Sequence, residues 1–476
     1  MSAIVPNSPR PGSLGFQKVV DVFLAGDGLP FAKILSAERI ERIFRKHDGL
    51  FGLHGVYTTA IMVWSFLSQV LRDGKEASCQ AAVARVVSYR EQQGLVSPTE
   101  DTGDYCRARA KLSEAALRDL SCEVAEELEQ AAEPSWLWKG KHHAKLIDGF
   151  TLTMPDTPKN QAKYPHPRTQ QPGVGLPIAR VVAIVSLATA CVTDLAIGPY
   201  KGKETGESAL LRSMLGSLAA GDVAVMDRCY CSFMMIALLL AQGTHTCARK
   251  HPLRHSDFRR GRRLGKYDHL IVWTRPPRPK WMDEETYAQV PETLALREIR
   301  YRVVEPGRRT KLIDVVTTLT DADEYSQKDI AQLYGFRWNS ELDIRGIKSN
   351  LNLGHVRCKS PEMVHRELWT TILGYNLIRT TAAGAALLHD KQPRRISFTS
   401  TCQYVLASWM QLSCRMMGQA ELVAYLSVML EQIARCEVAN RPGRLEPRVL
   451  KRRRHGYKLM QKPRNELRRE LRKHCT

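Results

Sequence analysis

No Cys-x2-Cys pair occurs among the twelve cysteines of this chain, which are scattered from Cys79 to Cys475. Cys229-Tyr-Cys231 and His245-Thr-Cys247 lack the repeated ligand spacing of a structural zinc site. These thiols read as buried or free groups of a reducing compartment. Long apolar runs are missing too: the stretch 233–241 falls well short of the ~20 residues that cross a bilayer. Residues 1–30 hold no compact basic-then-apolar signal segment. Acid is scarce, with 49 Asp and Glu against 70 Lys and Arg, a net charge of +21 over 476 residues. These absences argue against a disulfide-stapled secreted domain and a helical membrane protein. They predict a soluble cytoplasmic chain of several domains with a polyanionic partner. For basicity alone, a ribosomal or membrane-surface partner stays open.

Prolines and glycines crowd residues 1–30, read as a loose leader. Residues 31–135 predict a helical domain, with helices at 31–47, 57–73, 79–93 and 104–132 broken at glycines. Arg39, Arg42, Arg45 and Lys46 on the first helix, and Arg107, Arg109 and Lys111 on the last, offer DNA contacts or merely a solvated face. Over 136–250 the pattern turns to strands at 143–148, 179–189, 191–198, 222–227 and 244–249, with helices at 207–220 and 233–241. Residues 251–325 are strand-rich again, with alternation at 269–274 and 299–304, a turn at 307–309 and a strand at 310–319. Arg259, Arg260, Arg262, Arg263 and Lys266 crowd one polar loop, a phosphate contact or a solvated loop. Helices return at 326–360 and over 361–440 (364–381, 401–416, 420–436). The tail 441–476 carries 14 Lys and Arg against 3 Glu, including the run 451–454 and a basic helix at 464–473.

Two acids end apolar runs: Asp148, followed by Gly149, and Asp227, followed by Arg228. A third stands on a proline-free helical stretch, Tyr334-x2-Arg337-x3-Glu341-x6-Lys348. At about 100° per residue, Tyr334, Arg337, Arg345 and Lys348 all fall within about 40° of Glu341 on a single continuous helix. Leu333, Phe336, Ile344, Ile347 and Leu351 make the adjoining apolar stripe. A solvated salt-bridge ladder has the same spacing. Trp338 lies beside this face, and core packing is its first reading. Asp156, between prolines, and Asp194 and Asp222, at strand edges, are rival acids that suit turn or cap duty.

The Tyr-Arg-Glu-Lys spacing resembles the signature of the fourth insertion-sequence family of bacterial transposases, in the DDE, RNase H-like superfamily. Met154-Pro-Asp-Thr-Pro-Lys-Asn160 and 175–180 look like the family as well. The resemblance implies an α/β fold: an RNase H-like catalytic core interrupted by a β-rich insertion, with helical N-terminal and C-terminal regions. It implies Asp148, Asp227 and Glu341 as the catalytic and metal-holding acids, separated by 79 and 114 residues. The cofactor is then Mg²⁺, with Mn²⁺ substituting and two ions per site. Tyr334, Arg337, Lys348, Arg228 and Arg345 become DNA contacts. Trp273 and Trp281, in the insertion, become candidates for stacking on an unpaired base. The implied partner is double-stranded DNA, both element ends and target, bound by a homodimer or larger assembly in the nucleoid. A DNA-binding factor that keeps the fold without the reaction, and a nuclease that cuts without joining, are the other readings of the same charge.

Overall fold

The computed structural model describes residues 34–52, 55–167, 173–303, 311–414, 418–438 and 460–474. The leader at 1–30, the turn at 307–309 and the basic run 451–454 lie outside the described residues. The first helices are α1 (Ala37–Lys46), α2 (Thr59–Val70), α3 (Cys79–Gln92), α4 (Thr102–Arg109) and α5 (Glu114–Gln130). Each begins on a side chain that accepts a first-turn N–H: Ser36, Thr58, Ser78, Asp101 and Ser113. The single helix expected over 104–132 is therefore two, since Ser113 caps a fresh start.

The middle of the chain alternates: β1 (Ala144–Thr153), α6 (Pro158–Lys163), β2 (Ile178–Ser186), β3 (Val192–Pro199), α7 (Glu207–Arg212), β4 (Val223–Met226), α8 (Phe233–Ala241) and β5 (His245–Arg249). Then come β6 (Arg262–Gly265), β7 (Asp268–Thr274), α9 (Glu284–Gln289), β8 (Thr293–Val303) and β9 (Lys311–Thr317). The chain closes with α10 (Gln327–Gly335), α11 (Trp338–Asn350), α12 (Pro361–Leu388), α13 (Phe398–Cys414), α14 (Gln419–Arg435) and α15 (Arg464–His474). Among the described residues, nine strands form one sheet in the order β3-β2-β1-β4-β5-β9-β8-β7-β6. β1, β4 and β5 run parallel, and the remaining pairs are antiparallel. The strands of the 251–325 segment do not make a sheet of their own: β9 pairs with β5 from Cys247–Thr317 to Arg249–Val315 and carries β8, β7 and β6 outward.

Side-chain alternation divides the molecule into two cores. The Leu146–Val225 pair of β1 and β4 faces a large core shared with α2, α5, α11 and α12. The next pair, Ile147–Met226, faces a smaller core with Leu211 of α7 and Phe233 and Ile236 of α8. α12 runs through the large core, buried along most of its length. It passes α2 closely at Gly374, where a Cβ would stand 2.7 Å from Leu71 Cδ2. Its buried Asn376 accepts from the Val192 N–H at 2.9 Å and donates to the Val192 and Ser121 carbonyls at 2.9 and 3.1 Å, tying β3 to α5. No described helix is long and apolar enough to cross a membrane.

Candidate active site

Parallel pairing of β1 with β4 stops at Ile147–Met226, so Asp148 and Asp227 are the next residues on two adjacent strands. Alternation from the Leu146–Val225 pair turns both toward the α11 side of the sheet. Asp148 does not end its strand: β1 continues to Thr153 against β2, with Asp148 opposite Ala183. Only the β4 side opens there, and that opening exposes the two acids side by side.

The helix above them is interrupted. α10 ends at Gly335 and α11 starts at Trp338, with Phe336 and Arg337 between them still in right-handed helical conformation. The Arg337, Asn339 and Ser340 N–H groups donate three residues back, to Tyr334, Phe336 and Arg337. This tighter winding replaces the single continuous helix assumed for the wheel and changes the phase between Tyr334 and Glu341. Arg337 sits at the junction and reaches two acids, Glu341 Oε1 at 2.7 Å through Nη2 and Asp148 Oδ2 at 3.3 Å through Nη1. Asp148 also accepts from Ser340 Oγ at 2.9 Å and from the Gly149 N–H at 2.9 Å. Burial pushes the Asp148 carboxyl above its ordinary pKa and the Glu341 charge adds to it, while Ser340, Arg337 and Gly149 pull the other way. Burial works against the Arg337 charge, yet Glu341, Asp148 and Asp227 hold its pKa above the ordinary value.

The rival acids are engaged elsewhere. Asp194 is fully buried and takes Arg118 at 3.1 and 2.6 Å and Ser217 Oγ at 2.5 Å. Asp222 accepts the Ala219 N–H at 3.0 Å in a turn, and Asp156 accepts from Gln161 at 3.0 Å.

Residues 139–377, half of the chain, match the family described as Transposase DDE domain. The chain belongs to the DDE transposases. It is 28% identical over 407 residues, 83% of this chain and 86% of the relative, to Transposase InsG for insertion sequence element IS4 of Escherichia coli (strain K12). Among solved structures it is similar to the piggyBac transposase in a synaptic complex with hairpin DNA. That likeness has a TM-score of 0.41 and 9% identity, and covers 87% of this chain and 85% of that one. The chain is thus the transposase of an insertion sequence, an enzyme of metal-dependent DNA cleavage and strand transfer.

In this transposase the carboxylates supply hard oxygen donors that suit a divalent ion, and Arg337 already sets a positive group against two of them. Among the described residues, no group of three or more His, Cys, Asp or Glu side chains is gathered to metal-holding distance. The other expected contacts are spread around the acids. Lys348 lies along β1, its Nζ donating to the Thr151 carbonyl at 3.2 Å. Arg228 and Arg345 are exposed, whereas Tyr334 is buried. Trp338, read first as a core residue, is 49% exposed on α11. Trp273 is buried with Arg254 lying 4.0 Å from its ring centre, and Arg212 covers Trp281 at 3.8 Å. On α1, Arg39, Arg42 and Lys46 pair with Glu123 or Glu127 of α5, and Arg109 packs on Phe66 and Tyr105. Arg259, Arg260, Arg262, Arg263 and Lys266 remain exposed, the first two paired with Asp257.

Sequence reasoning missed three contributors. Ser340 lies inside the signature, but its bond to Asp148 depends on the tight turn before α11. Asp343, two residues beyond Glu341, is clamped by Arg379 at 3.0 Å and Arg394 at 2.9 Å. Glu207 approaches Gly149 from across the sheet.

Proposed function

We propose that Asp148, Asp227 and Glu341 are the metal-holding acids of this transposase. On this reading it binds the terminal inverted repeats of its element, cuts at their ends and joins the freed 3′-hydroxyls to target DNA. The observation that carries the reading is Arg337. One guanidinium bonds acids from β1 and α11 and feels the charge of Asp227 at the end of β4. Arg337 thus ties the acids of β1 and α11 together beside the point where the β1–β4 pairing stops and Asp227 follows β4, and the carboxyl ends of parallel strands are where α/β sheets gather ligands.

Mg²⁺, with Mn²⁺ able to substitute, fits the oxygen donors. Two such ions would activate the attacking oxygen and stabilise the leaving oxygen of the phosphoryl transfer. Ser340 and the Gly149 N–H fix the Asp148 carboxylate, one on each oxygen. Arg337, with a planar fork suited to phosphate, exchanges its carboxylate partners for the scissile strand when DNA arrives. Lys348, Arg345 and Arg228 contribute positive charge around the acids, and the exposed arginines of 259–263 extend it along the sheet edge. Trp338 offers an open ring beside the reacting strand. Pairing of two ends calls for a dimer or larger assembly.

The test is cleavage of a labelled duplex carrying the element's own end, with Mg²⁺. Asp148→Ala, Asp227→Ala and Glu341→Ala should each bind the end and leave it uncut. If the three variants cut like the wild type, the assignment fails. If the wild type binds but cuts with neither Mg²⁺ nor Mn²⁺, a DNA-binding role replaces it.

A further inference from the structure

Glu207 opens α7 on the face of the sheet opposite α11, and no part of the signature contains it. An ideal Cβ built on Gly149 would stand 2.6 Å from Glu207 Cδ and 2.8 Å from Oε1. Gly149 is not among the positive-φ glycines, so backbone conformation does not demand glycine there. The Glu207 carboxylate instead occupies the space that a Cβ at 149 would take. The other end of that carboxylate faces the loop after Asp227: Oε2 accepts from Tyr230 OH at 3.3 Å and from Cys229 Sγ at 3.4 Å. The neighbouring Ser208 Oγ donates to the Cys229 carbonyl at 2.8 Å, and the Tyr230 N–H returns to the Asp227 carbonyl at 3.1 Å.

We infer that Glu207 is a positioning residue of the active site, bracing the Asp148–Gly149 backbone against the loop that follows Asp227. The inference rests on the assignment of Asp148 and Asp227 proposed above. Its physical basis is where the β-ladder stops. Hydrogen bonds between β1 and β4 end at Ile147–Met226, so nothing in the sheet itself fixes the spacing of the next two residues. Glu207 spans that gap from behind. An acid serving only the positive end of a short helix would point into water, and would leave its contact with the Gly149 backbone and the two donors unexplained. Tyr230, fully buried, holds the same loop from within the smaller core.

Glu207→Ala, Glu207→Gln and Tyr230→Phe, in the full chain, separate bracing from bulk stability. Each is followed by end cleavage, end affinity, thermal unfolding and Mn²⁺ binding by calorimetry. Because misplacing a reacting group by about 1 Å costs on the order of a hundredfold in rate, Glu207→Ala should slow cleavage about tenfold or more. It should weaken Mn²⁺ binding several-fold, with end affinity unchanged and any fall in unfolding temperature too small to account for the loss. Glu207→Gln keeps an acceptor oxygen and should restore most of both. Tyr230→Phe removes one donor without opening space and should fall between. Wild-type cleavage and Mn²⁺ binding in Glu207→Ala overturn the inference. So does a loss shared equally by Gln and accounted for by a fall in unfolding temperature. If Glu207→Ala does not fold, wild-type behaviour of Tyr230→Phe overturns it instead. Asp148→Ala runs alongside: if that variant cuts, the active-site reading has failed, and if it is silent while Glu207→Ala is normal, only the brace has.

Discussion

Asp148 shows how little room a single carboxylate has for error. It is pulled toward its neutral form by burial and toward its charged form by Ser340, Arg337 and the Gly149 N–H. Ser340 is the partner that can be removed without changing local charge. A hydrogen bond to a charged group contributes about 1.5–3 kcal/mol, so Ser340→Ala should lower the cleavage rate roughly ten- to a hundredfold if that interaction is needed throughout the reaction. End binding should stay at the wild-type level, checked by titrating the labelled end without metal. Asp148 and Asp227 are legible in the sequence as acids that close apolar runs before a Gly and an Arg. Their surroundings are not. Ser340 reaches Asp148 across 192 residues of chain, and Glu207 meets Gly149 from another element. No local pattern marks either contact.

At the scale of the element, α11 is held by more than its apolar stripe. Asp343 is buried between Arg379 of α12 and Arg394, and Arg394 also donates to the Leu187 and Ser186 carbonyls at 2.5 and 2.6 Å, just past β2. The clamp therefore joins the helix that carries Glu341 to both α12 and the sheet. Asp343→Ala would leave the buried Arg379 charge without its carboxylate, and breaking such a pair costs about 3–5 kcal/mol. A fall of that size in the denaturant unfolding free energy is expected, with cleavage lost alongside. Apolar periodicity locates α8 and α12 well, because both lie in cores. It misjudges α10 and α11, since the tight turns at Phe336 and Arg337 keep the helical direction while shifting its phase. It also carries α7 too far: the apolar spacing of 207–220 continues past Arg212, where the chain turns into a short 3₁₀ segment at Leu215–Ser217.

Across the whole molecule, the order of the strands through β5 is visible in the sequence because each strand is a short apolar run bounded by turn residues, whereas the short helix α6 leaves no such mark. The continuation of the sheet through β9 is not, since pairing of Cys247 with Thr317 bridges 70 residues and leaves no local trace. The excess of +21 is likewise visible, but its distribution is not: much of the basic face of α1 is spent on glutamates of α5, whereas the arginines of 259–263 stay at the surface. What the fold brings together is a set of acids where the pairing of β1 with β4 stops and on α11, and the central claim is that they hold the metal. The most direct measurement replaces Asp148 and Asp227 by cysteine, one at a time, and compares end cleavage in Mg²⁺ with that in Mn²⁺. A thiolate is a poor ligand for Mg²⁺ and a better one for Mn²⁺ or a softer ion. The account predicts that both variants are silent in Mg²⁺ and regain cleavage in Mn²⁺. Full activity in Mg²⁺, or the same fractional loss in both metals, would contradict it.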